Sequence, residues 1–369
     1  MQASKMKIFG STSRYVQGRG AIDELGEHIA KIGTRALILG QDFPINLIGK
    51  RIEESLEAAK VEVAAIDSSV KMCTYPTIDA LVELGKKNKV NVVLGVGGGV
   101  AVDTGKAVAH KLLVPVASIP TQCATNADAS ALSVIYTEKH EWLEYLFYPK
   151  NPDLVLVDPE VLATAPAKFT VWGMGDALAA NVEAKACVAQ PNAASLLNGR
   201  PTAAASWLGD LCENNLLQYG YRAYRDLSKK LVSPFVERIF ESIKLLSSLC
   251  AESAGLAAAH AIHNGLTFIH GVEANHGEIV AFCVNVQKIL ENQKPEDIEQ
   301  LMAWQHKLGL PITLEQLGKI DAKELPTAAE KACDPKDSMG NMPIMVTPGM
   351  VHDAILAADN WGQEYRDTH

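Results

Sequence analysis

The residues best suited to chemistry lie between Glu252 and Glu278, in the run ESAGLAAAHAIHNGLTFIHGVEANHGE. Four of the chain's ten histidines fall there: His260, His263, His270 and His276. His260 and His263 are three apart and share a face if the segment is helical. Small residues (Ser253, Ala254, Gly255, Ala257, Ala258 and Ala259) precede them, so another backbone can pack closely. A lone histidine on an apolar face is usually core packing, whereas this cluster points to a metal or acid–base centre. Such a centre needs an anionic ligand from elsewhere. Asp176 is the candidate, early in a helix within GMGDALAA; a helix N-cap is its plainer role. One Asp and two His suit zinc or ferrous iron better than magnesium and leave a coordination position open. An open position can take an alcohol oxygen and lower its pKa, which is the chemistry of hydride transfer beside a nucleotide.

The first half of the chain supplies elements for a nucleotide. Helical spacing in AIDELGEHIAKIG is followed by the strand RALILG, the helix NLIGKRIEESLEAAK and the strand VEVAAID. The helix TIDALVELGKKNK, the strand NVVLGVGGG, the helix VAVDTGKAVAHKLL and the strand PVASIPT continue the pattern. Short apolar strands alternating with helices predict a parallel sheet covered on both faces. Ligands of such sheets bind at the C-terminal strand ends. The end at Gly97-Gly98-Gly99-Val100-Ala101 delivers glycines to a helix N-terminus, where backbone N–H groups can approach a pyrophosphate. A tight turn without a ligand is the alternative. A second small, polar strand end, from Thr121 and Gln122 to Ser130, leads into SALSVIY, which carries Leu132, Val134 and Tyr136.

From about residue 165 onward only helical patterns remain. The expected organisation is therefore an α/β dinucleotide-binding domain over residues 1–164 and an all-α, metal-binding domain over residues 165–369. The bulk composition excludes other classes. Net charge is −9 with no basic run, against a nucleic-acid partner. The apolar runs fall far short of the roughly 20 residues of a membrane helix, and MQASKMKIFGSTSRY has no apolar signal segment. Seven scattered cysteines with no CxxC pair read as reduced thiols of a cytoplasmic protein.

Taken together, GVGGG, DTGKAVAHKL, PTQCAT, SALSVIYT, KNPDLVLVD, GMGDALA, EAKAC, GLAAAHAIHNGLT, HGE and GLPITLEQL occur in an order that resembles the glycerol dehydrogenases. These belong to the metal-dependent, iron-containing alcohol dehydrogenase superfamily. The resemblance covers nearly the whole chain. It implies a dehydroquinate synthase-like architecture, with zinc (or iron) in the cleft between a nucleotide-binding and a helical domain. It implies Asp176, His260 and His276 as metal ligands, with His263 beside the site as a proton relay and His270 as a loop residue. The pyrophosphate of NAD would lie on Gly97, Gly98 and Gly99, continued by Val100 and Ala101. Gln41, Thr121, Gln122, Ser130, Leu132, Val134 and Tyr136 would flank the rest of the cofactor, and Asn126 would contact a small alcohol substrate. The family also implies a homo-oligomer, commonly an octamer, with neither nucleic acid nor membrane as partner.

Four departures from the family pattern bear on specificity. Gln41 stands where the family has an aspartate that repels a 2′-phosphate, although Asp42 is adjacent. Val100 replaces a lysine. Asn126 replaces an aspartate that contacts the triol, so a 2-hydroxy acid or another alcohol or aldehyde becomes an alternative substrate, with NADP tolerated. The loop between His263 and His276 is about a residue shorter. Two further readings are a lyase of the dehydroquinate synthase type, against which the absence of a basic cluster speaks, and a non-catalytic nucleotide-binding relative, against which the intact Asp/His/His set speaks.

Overall fold

The computed structural model describes residues 5–139 and 142–369. Its strands are β1 (Tyr15–Gln17), β2 (Arg35–Gly40), β3 (Glu62–Asp67), β4 (Val92–Gly97), β5 (Val116–Pro120), β6 (Leu132–Tyr136), β7 (Trp142–Phe147) and β8 (Leu154–Val157). Between and after them come α1 (Leu25–Ile29), α2 (Asp42–Ala58), α3 (Tyr75–Lys87), α4 (Gly99–Leu112) and α5 (Pro159–Leu162).

Six strands form one parallel sheet in the order β1-β8-β5-β4-β2-β3. The expected α/β class is therefore observed. Alternate side chains of the central strands feed two cores. Ile38, Val92, Leu94 and Val96 pack with Leu25 and Ile29 of α1 and with Ile48, Ile52 and Leu56 of α2. Leu37, Leu39 and Val93 pack on the opposite face with Ile78, Leu81 and Val82 of α3 and with Ala107 and Val108 of α4. Burial on both faces is why these strands read as unbroken apolar runs.

One strand, β7, escaped the sequence reading, whereas β1 falls at the end of the β-prone stretch 6–16. The short β1 pairs with β8 at one edge, and β7 pairs antiparallel with β6 in a separate two-stranded sheet. SALSVIY is thus a strand, but of a hairpin. Trp142, Leu143 and Phe147 of β7 are exposed, so the usual inward-facing alternation is absent there.

The remaining helices are α6 (Ala167–Ala189), α7 (Ala203–Leu227), α8 (Pro234–Glu241), α9 (Ser248–Ala254), α10 (Ala258–Leu266), α11 (His276–Leu290), α12 (Pro295–Leu308), α13 (Leu325–Ala332) and α14 (Pro348–Thr368). The run from Leu231 to Leu266, which reads as one helix, is broken twice. A π-helical turn occupies Ser242–Ser247, and Gly255 at φ 110° separates α9 from α10.

Contacts divide the chain into two compact units, neither of them contiguous. One takes Gly10–Phe169 and Asp226–Leu245; the other takes the described residues up to Phe9, Thr170–Arg225 and Leu246–His369. The expected division at 164/165 marks where strands end, but the segment 226–245 returns to the sheet unit. There the Glu237 carbonyl accepts from Gln17 Nε2 at 2.8 Å, and Lys230 Nζ donates to the carbonyls of Ala163, Thr164 and Ala165. No single helix among the described residues is long and apolar enough to cross a membrane.

Candidate metal centre and nucleotide-binding turn

Helices α6, α10 and α11 of the helical unit bring Asp176, His260 and His276 together. One ligand atom from each lies within 4.8 Å of the others. His260 Nε2 is 3.5 Å and His276 Nε2 3.4 Å from Asp176 Oδ1. Bonds of about 2.0–2.2 Å at tetrahedral angles hold ligand atoms roughly 3.3–3.5 Å apart, so the donor set fits a zinc-sized cation. Asp176 and His260 are buried, whereas the His276 side chain is 42 % exposed, which leaves one side open to a substrate.

Glycines next to two of these residues make the convergence possible. A Cβ on Gly277 would collide with the Trp172 carbonyl of α6, and one on Gly175 would collide with the Gly277 carbonyl. The two backbones therefore touch one residue away from Asp176 and His276. At the start of α11, Glu278 reaches back to accept from the Asn275 N–H at 2.9 Å, which sets His276 at the first helical position.

The electrostatics suit a cation. Burial alone would favour neutral Asp176, but hydrogen bonds from His260 and His276 outweigh it and hold the carboxyl well below the usual range. Burial likewise opposes charge on His260, yet the flanking Glu183 and Asp176 carboxylates push its pKa up to about 10. A divalent cation would take the place of that proton. His263 is buried, and burial together with the neighbouring His276 and His260 holds it well below the ordinary histidine value. His263 Nε2 lies 2.9 Å from His276 Nδ1, and its own Nδ1 lies 3.1 Å from Asn264 Oδ1. Asn264 Nδ2 in turn donates to Asp337 Oδ2 at 2.9 Å. His270 is exposed and pairs with Glu324, outside the cluster.

In the sheet unit, β2, β4 and β5 end side by side, with Gly40 in register with Val96, and Gly97 with Pro120. The chain leaves β2 toward one edge and β4 toward the other, so this is the switch point where open α/β sheets bind ligands. Gly97 has φ 146°, and a Cβ there would stand 2.7 Å from Gln41 Oε1 and 2.9 Å from the Ala101 methyl. A Cβ on Gly98 would strike Gln122 Nε2, and the Gly97 carbonyl accepts from Thr121 N–H at 3.0 Å. Gln41, Gly97, Gly98, Gly99, Thr121 and Gln122 thus share one strand-end cluster at the N-terminus of α4. The Gln41 and Gln122 side chains lie where a Cβ on Gly97 or Gly98 would stand, and N–H groups that open a helix, as at α4, are of the kind that can receive a phosphate. Val100 is half-buried, and the methyl of Ala101 is fully buried in the core, so only its backbone can serve the turn. Gly105 packs 2.9 Å from the Gly95 Cα by the same measure, seating α4 close on β4.

Leu132, Val134 and Tyr136 alternate with buried Ser133 and Ile135, so they share the half-exposed face of β6. The loop before them, with Asn126 and Ser130, is held by two buried lysines that the sequence reading did not single out. Lys244 Nζ bonds Asp128 Oδ2 at 2.7 Å and the Thr125 carbonyl at 2.9 Å. Lys106 Nζ bonds Asp103 and the carbonyls of Ala127, Ser130 and Leu132. Their spacing gave no signal, because a buried lysine looks like any other lysine in a helix.

Fold and site together define a protein of two compact units, one with a parallel sheet of the nucleotide-binding type and one with an Asp/His/His cluster that could hold a metal ion. Residues 12–159 match the family described as iron-containing alcohol dehydrogenase. The chain is 41 % identical to a glycerol dehydrogenase of Escherichia coli O6:H1 over 97 % of its length and 98 % of that protein. It is 37 % identical to a glycolaldehyde reductase of Halobacterium salinarum, over 98 % of this chain and 99 % of the relative. The crystal structure of glycerol dehydrogenase from Schizosaccharomyces pombe superposes with a TM-score of 0.94 at 33 % identity, covering 100 % of this chain and 94 % of that one. The chain belongs to the iron-containing alcohol dehydrogenase family and is an oxidoreductase.

Proposed function

We propose that this enzyme catalyses the reversible, NAD-dependent and zinc-assisted oxidation of a small polyol, glycerol or a vicinal diol, to the hydroxyketone. The observation that carries this reading is the convergence of Asp176, His260 and His276 in a chain 41 % identical to a glycerol dehydrogenase. When bound, the metal supplies Lewis acidity to a substrate hydroxyl and NAD supplies the hydride acceptor. The three ligands hold the cation and leave a position open on the exposed side of His276. Two histidine nitrogens 3.5 and 3.4 Å from one carboxylate oxygen favour zinc, although iron uses the same donors.

The backbone of Gly97, Gly98 and Gly99 and the N-terminus of α4 bind the pyrophosphate. Thr121, Gln122, Ser130, Leu132, Val134 and Tyr136 flank the cofactor. Asn126 orients the substrate, donating and accepting without adding charge. Both ring nitrogens of His263 are engaged, which supports a role in steadying His276 over one in proton relay. The enzyme acts in the cytoplasm, as a homo-oligomer with the octamer as the expected form.

A second reading has its own support. Gln41 brings no carboxylate to the ribose position, which removes the aspartate that would repel a 2′-phosphate there, although the adjacent Asp42, hydrogen-bonded by Ser68 Oγ, keeps its charge. Together with Asn126 and the glycolaldehyde reductase relative, this favours a reductase of a small aldehyde or 2-oxo acid that tolerates NADP. Initial rates with glycerol, 1,2-propanediol and a 2-hydroxy acid, each with NAD and NADP, decide between them. Diol turnover with NAD supports the first reading. Turnover confined to the hydroxy acid or to NADP overturns it in favour of the second.

A further inference from the structure

His260 is held from both sides by a single helix. Its Nε2 faces Asp176 and its Nδ1 lies 2.5 Å from Glu183 Oε2, both carboxylates belonging to α6. Glu183 is completely buried. Its other oxygen accepts the N–H groups of Ala257 at 2.8 Å and His260 at 2.9 Å. α10 needs those bonds, because Ala257 at its N-cap has no side chain to offer. Gln287 assists by accepting from Ala259 N–H at 2.8 Å.

Capping alone requires neither a charge nor a second oxygen, and an amide would serve. A fully buried carboxylate is costly unless its charge is used. Here the second oxygen is aimed at the imidazole. A carboxylate accepting from Nδ1–H leaves the lone pair on Nε2, and Nε2 is the atom facing Asp176.

We propose that Glu183 is a positioning residue of the metal centre, fixing His260 in the tautomer whose Nε2 lone pair is presented to the cation. The inference rests on the metal-site reading above. In Glu183→Gln an oxygen still caps α10, but the amide NH2 turns toward Nδ1 and selects the opposite tautomer, with a proton on Nε2.

The test is competition for Zn2+ between a chromogenic chelator and the metal-free, full-length protein. E183Q is expected to bind zinc 10–100-fold more weakly, with an unchanged far-UV spectrum. E183D, which keeps the charge but shortens its reach by one methylene, is expected to weaken binding as well and serves if E183Q does not fold. In an H260A background E183Q should add nothing. Gln287→Ala, which removes a cap without touching the imidazole, should lower the melting temperature and leave zinc affinity unchanged. The proposal is overturned if E183Q binds like wild type, if its loss persists without His260, or if Q287A weakens zinc equally. D176A separates the two levels: if it binds as tightly as wild type, the metal-site reading itself falls.

Discussion

Nδ1 of His276 and Nε2 of His263 lie 2.9 Å apart, so the more exposed histidine of the Asp/His/His cluster is braced by a buried one. If Nε2 of His276 faces the cation, Nδ1 carries the proton and His263 accepts it. His263 then donates through Nδ1 to Asn264, which donates to Asp337. Every donor in that chain points away from the metal position. His263→Ala should weaken zinc binding about tenfold while Asp176 and His260 stay in place. Chelator competition measures this directly, and unchanged affinity would remove His263 from the centre.

Gly277 carries the close approach of α11 to α6. Gly277→Ala places a methyl against the Trp172 carbonyl, where backbone on both sides must shift. A loss of about 1–3 kcal/mol or more is expected, together with reduced zinc content, because His276 moves with the helix. A thermal melt and metal analysis of the purified variant check both parts. Wild-type stability would show that the crossing is looser than described.

Lys244 and Asp128 form an ion pair with both side chains 2 % exposed. Removing one partner leaves an uncompensated charge, so Lys244→Met should cost about 3–5 kcal/mol. The double variant K244M/D128L should recover most of that loss. If the loop carrying Asn126 depends on this pair, KM for substrate rises in K244M more than kcat falls. Denaturation midpoints and kinetics of the two variants separate stability from positioning.

Tyr75 ties α3 to β7 through a 2.7 Å hydrogen bond from its hydroxyl to Glu144. That bond to a carboxylate, with some burial, pushes the phenol up to about 12. A raised folded value means the contribution is complete below the unfolded pKa of about 10 and is lost as pH rises through 12. The melting-temperature gap between wild type and Tyr75→Phe should therefore be constant from pH 7 to 9 and shrink above pH 10. A gap that grows with pH would contradict the assigned bond.

The sheet unit was legible because each element obeys a local rule. Ile38 and Leu37 point to opposite cores, and Gly97 breaks β4 where α4 begins. The histidines were legible because four of them crowd one short run. The features that escaped depend on burial, which spacing does not encode. Glu183 lies on α6, a helix apolar on nearly every side, and nothing in EAKAC distinguishes a buried glutamate from a solvated one. Lys106 and Lys244 were missed for the same reason. The return of residues 226–245 to the sheet unit follows from contacts such as Gln17 with Glu237, 220 positions apart. Gly255 looked like one more small residue until its φ of 110° showed it to be the break between α9 and α10.

The central claim is that Asp176, His260 and His276 hold one divalent metal on which turnover depends. Zinc content and glycerol-dependent NADH formation, measured on the same preparations of wild type and His276→Ala, test it most directly. The account predicts one zinc per chain and turnover in wild type, and neither in H276A, with the far-UV spectrum unchanged. H276A retaining wild-type metal content and activity would contradict it.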